Sequence, residues 1–286
     1  MSSRILITGA NGFIGKHLMQ YLQHHTLAKL TGLQGRSDLD LTQPAACQQL
    51  PEGEICIHLA GAGNPTDFDR DATSAWQSNV TGTLNLLQAL QDKGYKRCIL
   101  ASTYVYGRPD YTPVNEQHPV RPPHPYPRSK YICEQLLEEF TRRGSLTGVA
   151  LRIFNVYGPE QTPHMLIPTI LNQLNQSEIT LRDAVPKRDF VHVHDVVRAI
   201  HQALKVELQG FETVNIASGE SISVGDLVTT IQRLAQNTIP VHYQQEPRPN
   251  EVNDVVGDIQ KARELLQWQP EISLDRGLGE LIACAS

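Results

Sequence analysis

The chain has few cysteines and no cluster of them. Cys47, Cys56, Cys98, Cys133 and Cys284 are scattered over 286 residues, with no close pair and one left over. That spacing argues against a disulfide framework and against a thiolate zinc site. No metal centre is therefore expected, and a reducing, cytoplasmic setting fits best. An excess of positive charge is also missing: 25 Lys+Arg stand against 30 Asp+Glu, a formal net charge of -5. Nucleic acids and anionic membranes are held by clustered positive charge, so neither is an expected partner. The N-terminus lacks a long hydrophobic run, because Ile5, Leu6 and Ile7 are followed at once by polar residues and glycine. This is too short for a secretory core or a membrane span. Neither a repeat of solenoid period nor a low-complexity tract is present. A hydrophobic content of 40% with 19% charged residues describes a globular chain, long enough to bury a core without staples.

Short apolar runs alternate with amphipathic stretches through the first half. Segments 4–8, 29–33, 54–60, 96–102 and 148–154 read as strands, and 13–24, 78–90 and 128–141 as helices. Repeated strand–helix–strand units predict an α/β fold, a doubly wound parallel (Rossmann) sheet with helices on both faces. Residues 107–127 break the rhythm with seven prolines and predict a long ordered loop of the functional kind. Later elements are shorter: a strand over 188–193, a helix over 194–204 and a strand over 213–216. The predicted division is a dinucleotide-binding domain of 1–157 and 188–216, interleaved with a smaller substrate lobe of 158–187 and 217–286.

The first strand runs into Thr8-Gly9-Ala10-Asn11-Gly12-Phe13-Ile14-Gly15. Three glycines spaced by three, between a strand and an amphipathic helix, are the context of a dinucleotide loop. One allows the tight turn, one lets the backbone approach a pyrophosphate, and one lets helix and strand pack closely. The pyrophosphate then sits at the helix N-terminus, where free N–H groups favour anions. After the second strand, Leu33-Gln34-Gly35-Arg36-Ser37 lacks the acidic residue that bonds a ribose 2'-hydroxyl. Arg36 and Ser37 suit a 2'-phosphate instead, which favours NADP over NAD. In the opposing reading Arg36 is a solvated loop charge and Asp38 or Asp40 swings in.

Tyr126 and Lys130 are four residues apart, which places both on one helix face, and Pro127 places Tyr126 at the helix entrance. A nearby ammonium favours a phenolate, so Lys130 is expected to lower the Tyr126 pKa and make it a usable acid or base. Ser102 ends the fourth strand, at the edge where open α/β sheets bind ligands. In this order the motifs resemble the extended short-chain dehydrogenase/reductases, the NAD-dependent epimerase/dehydratase group. The resemblance rests on Gly9-x-x-Gly12-x-x-Gly15, His58-Leu59-Ala60-Gly61, Asn79-Val80-Thr81-Gly82-Thr83 and Ser102-Thr103-Tyr104-Val105-Tyr106-Gly107. It continues through Tyr126-x-x-x-Lys130, 151–159, Arg188-Asp189-Phe190-Val191 and the 248–262 region.

The resemblance implies a triad of Ser102, Tyr126 and Lys130, in which Tyr126 exchanges the proton, Lys130 holds the nicotinamide ribose and Ser102 orients the oxygen. It implies a cofactor site of Gly9, Asn11, Gly12, Phe13, Ile14, Gly15, Arg36, Ser37, Asp40, Leu41, Leu59, Ala60, Gly61 and Asn79, shared with Tyr126 and Lys130. Asn79 either braces the active-site helix or merely caps a helix. His58 reads as a satisfied buried histidine at the cofactor's edge. A nucleotide-sugar substrate is implied at Thr103, Tyr104, Asn155, His164, Ile167, Arg188 and Arg248, with Ile167-Pro168 against the base and the arginines on the diphosphate.

Thr103 and Tyr104 replace the acidic pair of sugar 4,6-dehydratases, which argues against elimination. The cysteine of double epimerases is absent at Tyr104, and His164 is shifted by about one residue from their histidine. The short 36–42 connection is similar to that of nucleotide-sugar 4-keto reductases. The expected function is therefore reduction of a nucleotide 4-keto-6-deoxy sugar, with a 4-epimerase holding NAD tightly, or a non-catalytic dinucleotide sensor, as alternatives. Relatives also imply a homodimer through helices 79–90 and 131–140, which carry Leu84, Leu87, Leu90, Ile132, Leu136 and Phe140. The alternative is that all six pack on the sheet.

Overall fold

The computed structural model describes residues 3–144, 146–246 and 252–285. Its elements begin with β1 (Arg4–Thr8), α1 (Phe13–His25), β2 (Lys29–Leu33), α2 (Pro44–Cys47), β3 (Ile55–His58), α3 (Pro65–Arg70) and α4 (Ala72–Trp76). A π-helical turn (Gln77–Thr81) leads into α5 (Gly82–Asp92), β4 (Arg97–Thr103), α6 (Pro125–Arg143) and β5 (Thr147–Ile153). There follow β6 (Asn155–Tyr157), α7 (Leu166–Gln173), β7 (Ile179–Leu181), β8 (Lys187–Arg188), β9 (Phe190–His192), α8 (Val193–Lys205) and β10 (Phe211–Ile216). The chain ends with β11 (Ile222–Ser223), α9 (Val224–Leu234), β12 (Val241–Tyr243), α10 (Gln260–Leu266) and α11 (Leu274–Ala285). Among the described residues no helix is long and apolar enough to cross a membrane.

The large sheet has the strand order β10-β5-β4-β3-β1-β2, and β1 to β5 are joined by parallel pairs. The order reverses between β1 and β3, which opens a crevice at their carboxyl ends. Ile5, Leu6 and Ile7 are buried, as a strand covered on both faces requires. On one face Leu86, Leu87 and Leu90 of α5 and Cys133 and Leu137 of α6 pack with Leu6, Cys56, Cys98, Leu100 and Ala150. Each fully buried leucine contributes about 1.5–3 kcal/mol, so this layer fixes both helices against the strands.

The chain divides into two compact units: Met1–Gly107 with Pro119–Ile153 and Val197–Val214, and Arg108–His118 with Phe154–Val196 and Asn215–Ser286. The division expected from the sequence places 108–118, 154–157, 188–196 and 215–216 with the sheet. They belong to the second unit, where β6 pairs with β9 in a small sheet of their own and Phe154 N donates to Ile216 O. The predicted strand over 188–193 is broken at Asp189. Its buried carboxylate accepts from Ser218 N and Oγ, Gly219 N and Gly257 N, so it ties loops together at the point where a ladder would have run.

Two helix boundaries also differ from expectation. The predicted helix over 78–90 opens with the π-helical turn, which apolar periodicity does not register. The helix predicted from residue 128 starts at Pro125, because His124 caps it by accepting from Tyr126 N through Nδ1 at 3.1 Å.

Candidate active site

A groove of about 500 Å³ opens at the carboxyl ends of β1, β2 and β3. Gly9, at φ +72°, forms its floor; a Cβ there would lie 2.7 Å from Ala60 N, so only glycine lets β1 turn this close to the end of β3. Gly12 opens α1 with no side-chain cap and no acidic residue in the first turn. The first-turn N–H groups therefore lack helical partners and favour an anion. These are the features a dinucleotide pyrophosphate needs, and the groove fits one.

Of the cofactor residues expected, Gly9, Gly12, Arg36, Asp40, Leu41, Leu59, Ala60 and Gly61 line the groove. Gly15 lies beneath the loop, where a Cβ would come 2.1 Å from Gly9 O. Asn11, Phe13, Ile14, Ser37, Asn79, Tyr126 and Lys130 are not on its wall. The wall also contains Thr42, Arg70 and Ser74, which the sequence reading missed. Arg36 Nη2 reaches Ser74 Oγ at 3.4 Å, joining the turn after β2 to α4. The nearby carboxylates are engaged locally: Asp38 accepts from Gln34 N at 2.8 Å, and Asp40 from Thr42 N at 3.0 Å and Thr42 Oγ1 at 2.7 Å. Those bonds hold the Asp40 carboxyl below its ordinary pKa.

Asn79 is buried just behind the groove. Its Oδ1 accepts from Ala62 N at 2.7 Å, and its Nδ2 donates to Ser129 Oγ of α6 at 2.8 Å. Ser129 Oγ in turn donates to Tyr126 O at 2.7 Å, so the first turn of α6 is tied to the segment after β3. Tyr126 is half-buried beside Phe68, and Lys130 is buried.

Two expectations about this constellation change. Lys130 was expected to lower the Tyr126 pKa. Burial instead raises it, with a hydrogen bond from Thr103 opposing and Asp67 adding to the rise. Desolvation dominates, and the Lys130 charge is felt at His58 and Cys133 instead. Ser102 was expected to face the reacting oxygen. Its Oγ donates to Glu134 Oε1 at 2.5 Å, while the hydroxyl bonded to Tyr126 belongs to Thr103. Ser102 follows Cys98 and Leu100 on the side of β4 that packs against α6, where Glu134 takes its hydroxyl.

The second unit carries Asn155, His164, Ile167 and Arg188 of the expected substrate residues. Asn155 Nδ2 donates to Asp189 O at 3.1 Å, and Arg188 Nη1 donates to Lys187 O and Val252 O, both at 2.7 Å. His164 is exposed on the turn before α7. Ile167 was expected against a base. Its side chain is instead buried among Ile170, Leu227 and Leu278, so core packing accounts for it. In the first unit, Tyr104 Oη donates to Gly107 O at 2.7 Å. Arg248 lies outside the described residues.

Comparison with known proteins now decides the family. The model of the NAD dependent epimerase/dehydratase family matches residues 5–217. The chain belongs to this family. The GDP-6-deoxy-D-mannose reductase of Pseudomonas aeruginosa is 30% identical over 300 residues, covering 99% of this chain and 97% of that protein. The structure of RMD from Pseudomonas aeruginosa complexed with NADPH superposes with a TM-score of 0.92 at 28% identity, covering 99% of each chain. The UDP-glucose 4-epimerase of Thermus thermophilus, solved with NAD, gives 0.88 at 26% identity, covering 99% of this chain and 98% of that one. This epimerase/dehydratase-family chain is thus an NAD(P)-dependent enzyme.

His58 sits under the groove of this family member as a neutral, doubly bonded ring. Its Nδ1 pairs with Thr8 Oγ1 at 2.7 Å and its Nε2 with Thr83 Oγ1 at 2.9 Å. Burial, aided by the Lys130 charge, pushes its pKa down from 6.5 to about 3. The unfolded chain therefore binds a proton below about 6.5 that the native state refuses until about 3, and stability is lost as pH falls through that window. At pH 5 the loss amounts to about 2 kcal/mol, at ~1.4 kcal/mol per pH unit. Urea unfolding at pH 7.5 and pH 5 is expected to show it. His58→Gln, which keeps a donor and an acceptor, is expected to shrink the difference, and an equal pH dependence in both proteins counts against this account.

Proposed function

We propose that the protein is an NADPH-dependent reductase acting on the C4 ketone of a nucleotide-linked 4-keto-6-deoxy sugar. The observation that carries this reading is the Tyr126 phenol, which burial keeps protonated while Thr103 orients it. A ketone reduction needs a proton donor at the developing alkoxide, and a phenol held in its acid form is one. Bound NADPH would supply the hydride at the carbonyl carbon. Gly9, Gly12 and the uncapped start of α1 hold the pyrophosphate, and Arg36 with Ser74 meets the adenosine end. Asp38 and Asp40 are engaged by their own loop, so a phosphate suits that end better than a bare ribose hydroxyl. Lys130 holds the nicotinamide ribose and restores the Tyr126 proton from its side of the helix. In this reading Asn155 and Arg188 serve the nucleotide diphosphate of the substrate.

The reductase relative, matched over nearly its whole length, supports the reading. The absence of an acidic pair at Thr103 and Tyr104 supports it as well. The NAD-bound UDP-glucose 4-epimerase among the structural neighbours favours the second reading, a 4-epimerase with resident NAD. A homodimer belongs to the proposal too: Leu84 on α5 is exposed and Ile132, Leu136 and Phe140 on α6 are half-buried, whereas Leu87 and Leu90 are committed to the core.

Purified protein with a panel of nucleotide 4-keto-6-deoxy sugars is expected to oxidise NADPH stoichiometrically with alcohol formed. Arg36→Ala is expected to raise KM for NADPH about 10- to 100-fold, the worth of one charge-assisted hydrogen bond, and to leave KM for NADH unchanged. Interconversion of 4-epimers by NAD-loaded protein, with no NADPH consumed, overturns the proposal in favour of the epimerase.

A further inference from the structure

Tyr126, Lys130 and Glu134 recur every four residues along α6 and form one stripe turned toward the sheet. The first two have roles in the reading above; the third does not. Glu134 is 2% exposed, deeper than a carboxylate goes without partners. Its partners come from two strands. Arg152 of β5 donates Nη2 to Oε2 at 2.7 Å and Nε to both oxygens at 3.1 Å. Ser102 of β4 donates to Oε1 at 2.5 Å. Arg152, equally buried, also donates Nη1 to Tyr106 Oη at 3.0 Å and lies 5.0 Å from that ring's centroid. Apolar residues of the same volume would stabilise a helix–sheet contact at least as well as this ion pair. Packing alone therefore does not account for it.

We propose that Glu134 is a positioning residue for Lys130: clamped by Arg152 and Ser102, it fixes the second turn of the stripe on the sheet and keeps a negative charge one helical turn from the Lys130 ammonium. The clamp also accounts for Ser102, whose hydroxyl serves the carboxylate while Thr103 serves Tyr126. Desolvation alone lowers the proton affinity of Lys130, and Cys133 and Glu134 raise it again. The other groups around Lys130 do not replace that charge. On the same helix Tyr126 stays protonated and burial pushes the Cys133 thiol pKa up, His58 on β3 is neutral, Ser102 on β4 is a neutral hydroxyl, and Arg152 on β5 is positive. Without the Glu134 charge, the buried Arg152 guanidinium would lose its counter-ion and Lys130 the nearby carboxylate.

The inference rests on the proposed role of Lys130, but its test does not require the substrate. The ammonium is titrated by NMR in protein carrying ¹³C at the lysine ε-carbon, with Lys130→Met identifying the signal. Glu134→Gln is expected to weaken proton binding at Lys130 by about tenfold, the effect of one nearby charge. Glu134→Leu combined with Arg152→Met removes both charges while keeping volume, and so secures a folded protein if the single variant does not fold. It is expected to shift Lys130 in the same direction by a smaller amount. An unshifted Lys130 in either folded variant overturns the proposal. If NADPH-dependent turnover is present, its alkaline limb moves to lower pH by the same amount in Glu134→Gln. A purely structural role would lower the plateau and leave the limb in place.

Discussion

Tyr126→Phe is expected to lower turnover of the keto sugar by about 10²- to 10⁴-fold, the usual contribution of a placed general acid. The substitution removes one oxygen and leaves the ring, so the packing against Phe68, with centroids 6.2 Å apart, is retained. The backbone of Tyr126 also stays in place, because its N–H is held by His124 and its carbonyl by Ser129. Cofactor affinity, followed by quenching of protein fluorescence, is therefore expected to match wild type while kcat collapses. Thr103→Val provides the companion measurement. It removes the hydroxyl that orients the phenol and should lower kcat by a smaller factor, whereas Ser102→Ala acts through Glu134. A Tyr126→Phe protein with unchanged turnover would sink the assignment of the proton to this residue. A wild-type protein that binds NADPH without turning over any keto sugar would favour a dinucleotide sensor.

Tyr126 also shows what the sequence could and could not reveal. The pairing of Tyr126 with Lys130 was legible because it is local: four residues on a helix share a face wherever the helix lies. The glycine loop was legible for the same reason, since Gly9, Gly12 and Gly15 act through the turn and helix they occupy. The direction of the Tyr126 pKa was not legible, because it depends on how much chain covers the ring, which no spacing records. The bond from Ser102 to Glu134 was not legible either, because it joins β4 to a turn of α6 that lies 32 residues further along the chain. Arg70 and Ser74 line the groove from α3 and α4, yet no motif marks the segment from 62 to 78. Their place comes from long-range folding of that segment over the ends of β1 and β2. Ile167 carries information the sequence lacks: the resemblance implies a ligand contact, and the structure adds that the side chain packs in the core of the second unit. The fold needed less, since parallel strands read as apolar runs separated by amphipathic helices. The parts that escaped were 108–118, 154–157 and 188–196, read with the sheet though they belong to the second unit, where β6, β8 and β9 are only two or three residues long and carry little pattern.

The second large effect is expected at Gly15, where substitution by alanine should reduce NADPH affinity at least about 100-fold and destabilise the protein by about 1–3 kcal/mol, the range for overpacking a tight contact. The new Cβ would lie 2.1 Å from Gly9 O and 2.9 Å from both Cα and C of Ala10, all backbone atoms with no rotamer to change. Relief requires moving the loop itself. Gly9 has little room to retreat, because the space beside it is so narrow that a Cβ there would lie within 2.9 Å of the Leu59–Ala60 backbone at the end of β3. The displacement must then pass into the Gly12 turn, closed by Gly12 N donating to Gly9 O at 3.0 Å. That turn aims the first N–H groups of α1 into the groove, so an ångström of motion there removes the anion site even if the sheet survives. Gly35→Ala is the control for stability: its Cβ would meet no protein atom within 4 Å, so the protein should unfold near the wild-type temperature. Thermal unfolding separates the two contributions. If Gly15→Ala merely lowers Tm and binds NADPH like wild type once folded, the loop is not what holds the pyrophosphate. If affinity falls far more than stability, the close packing of helix on strand is what shapes the binding site.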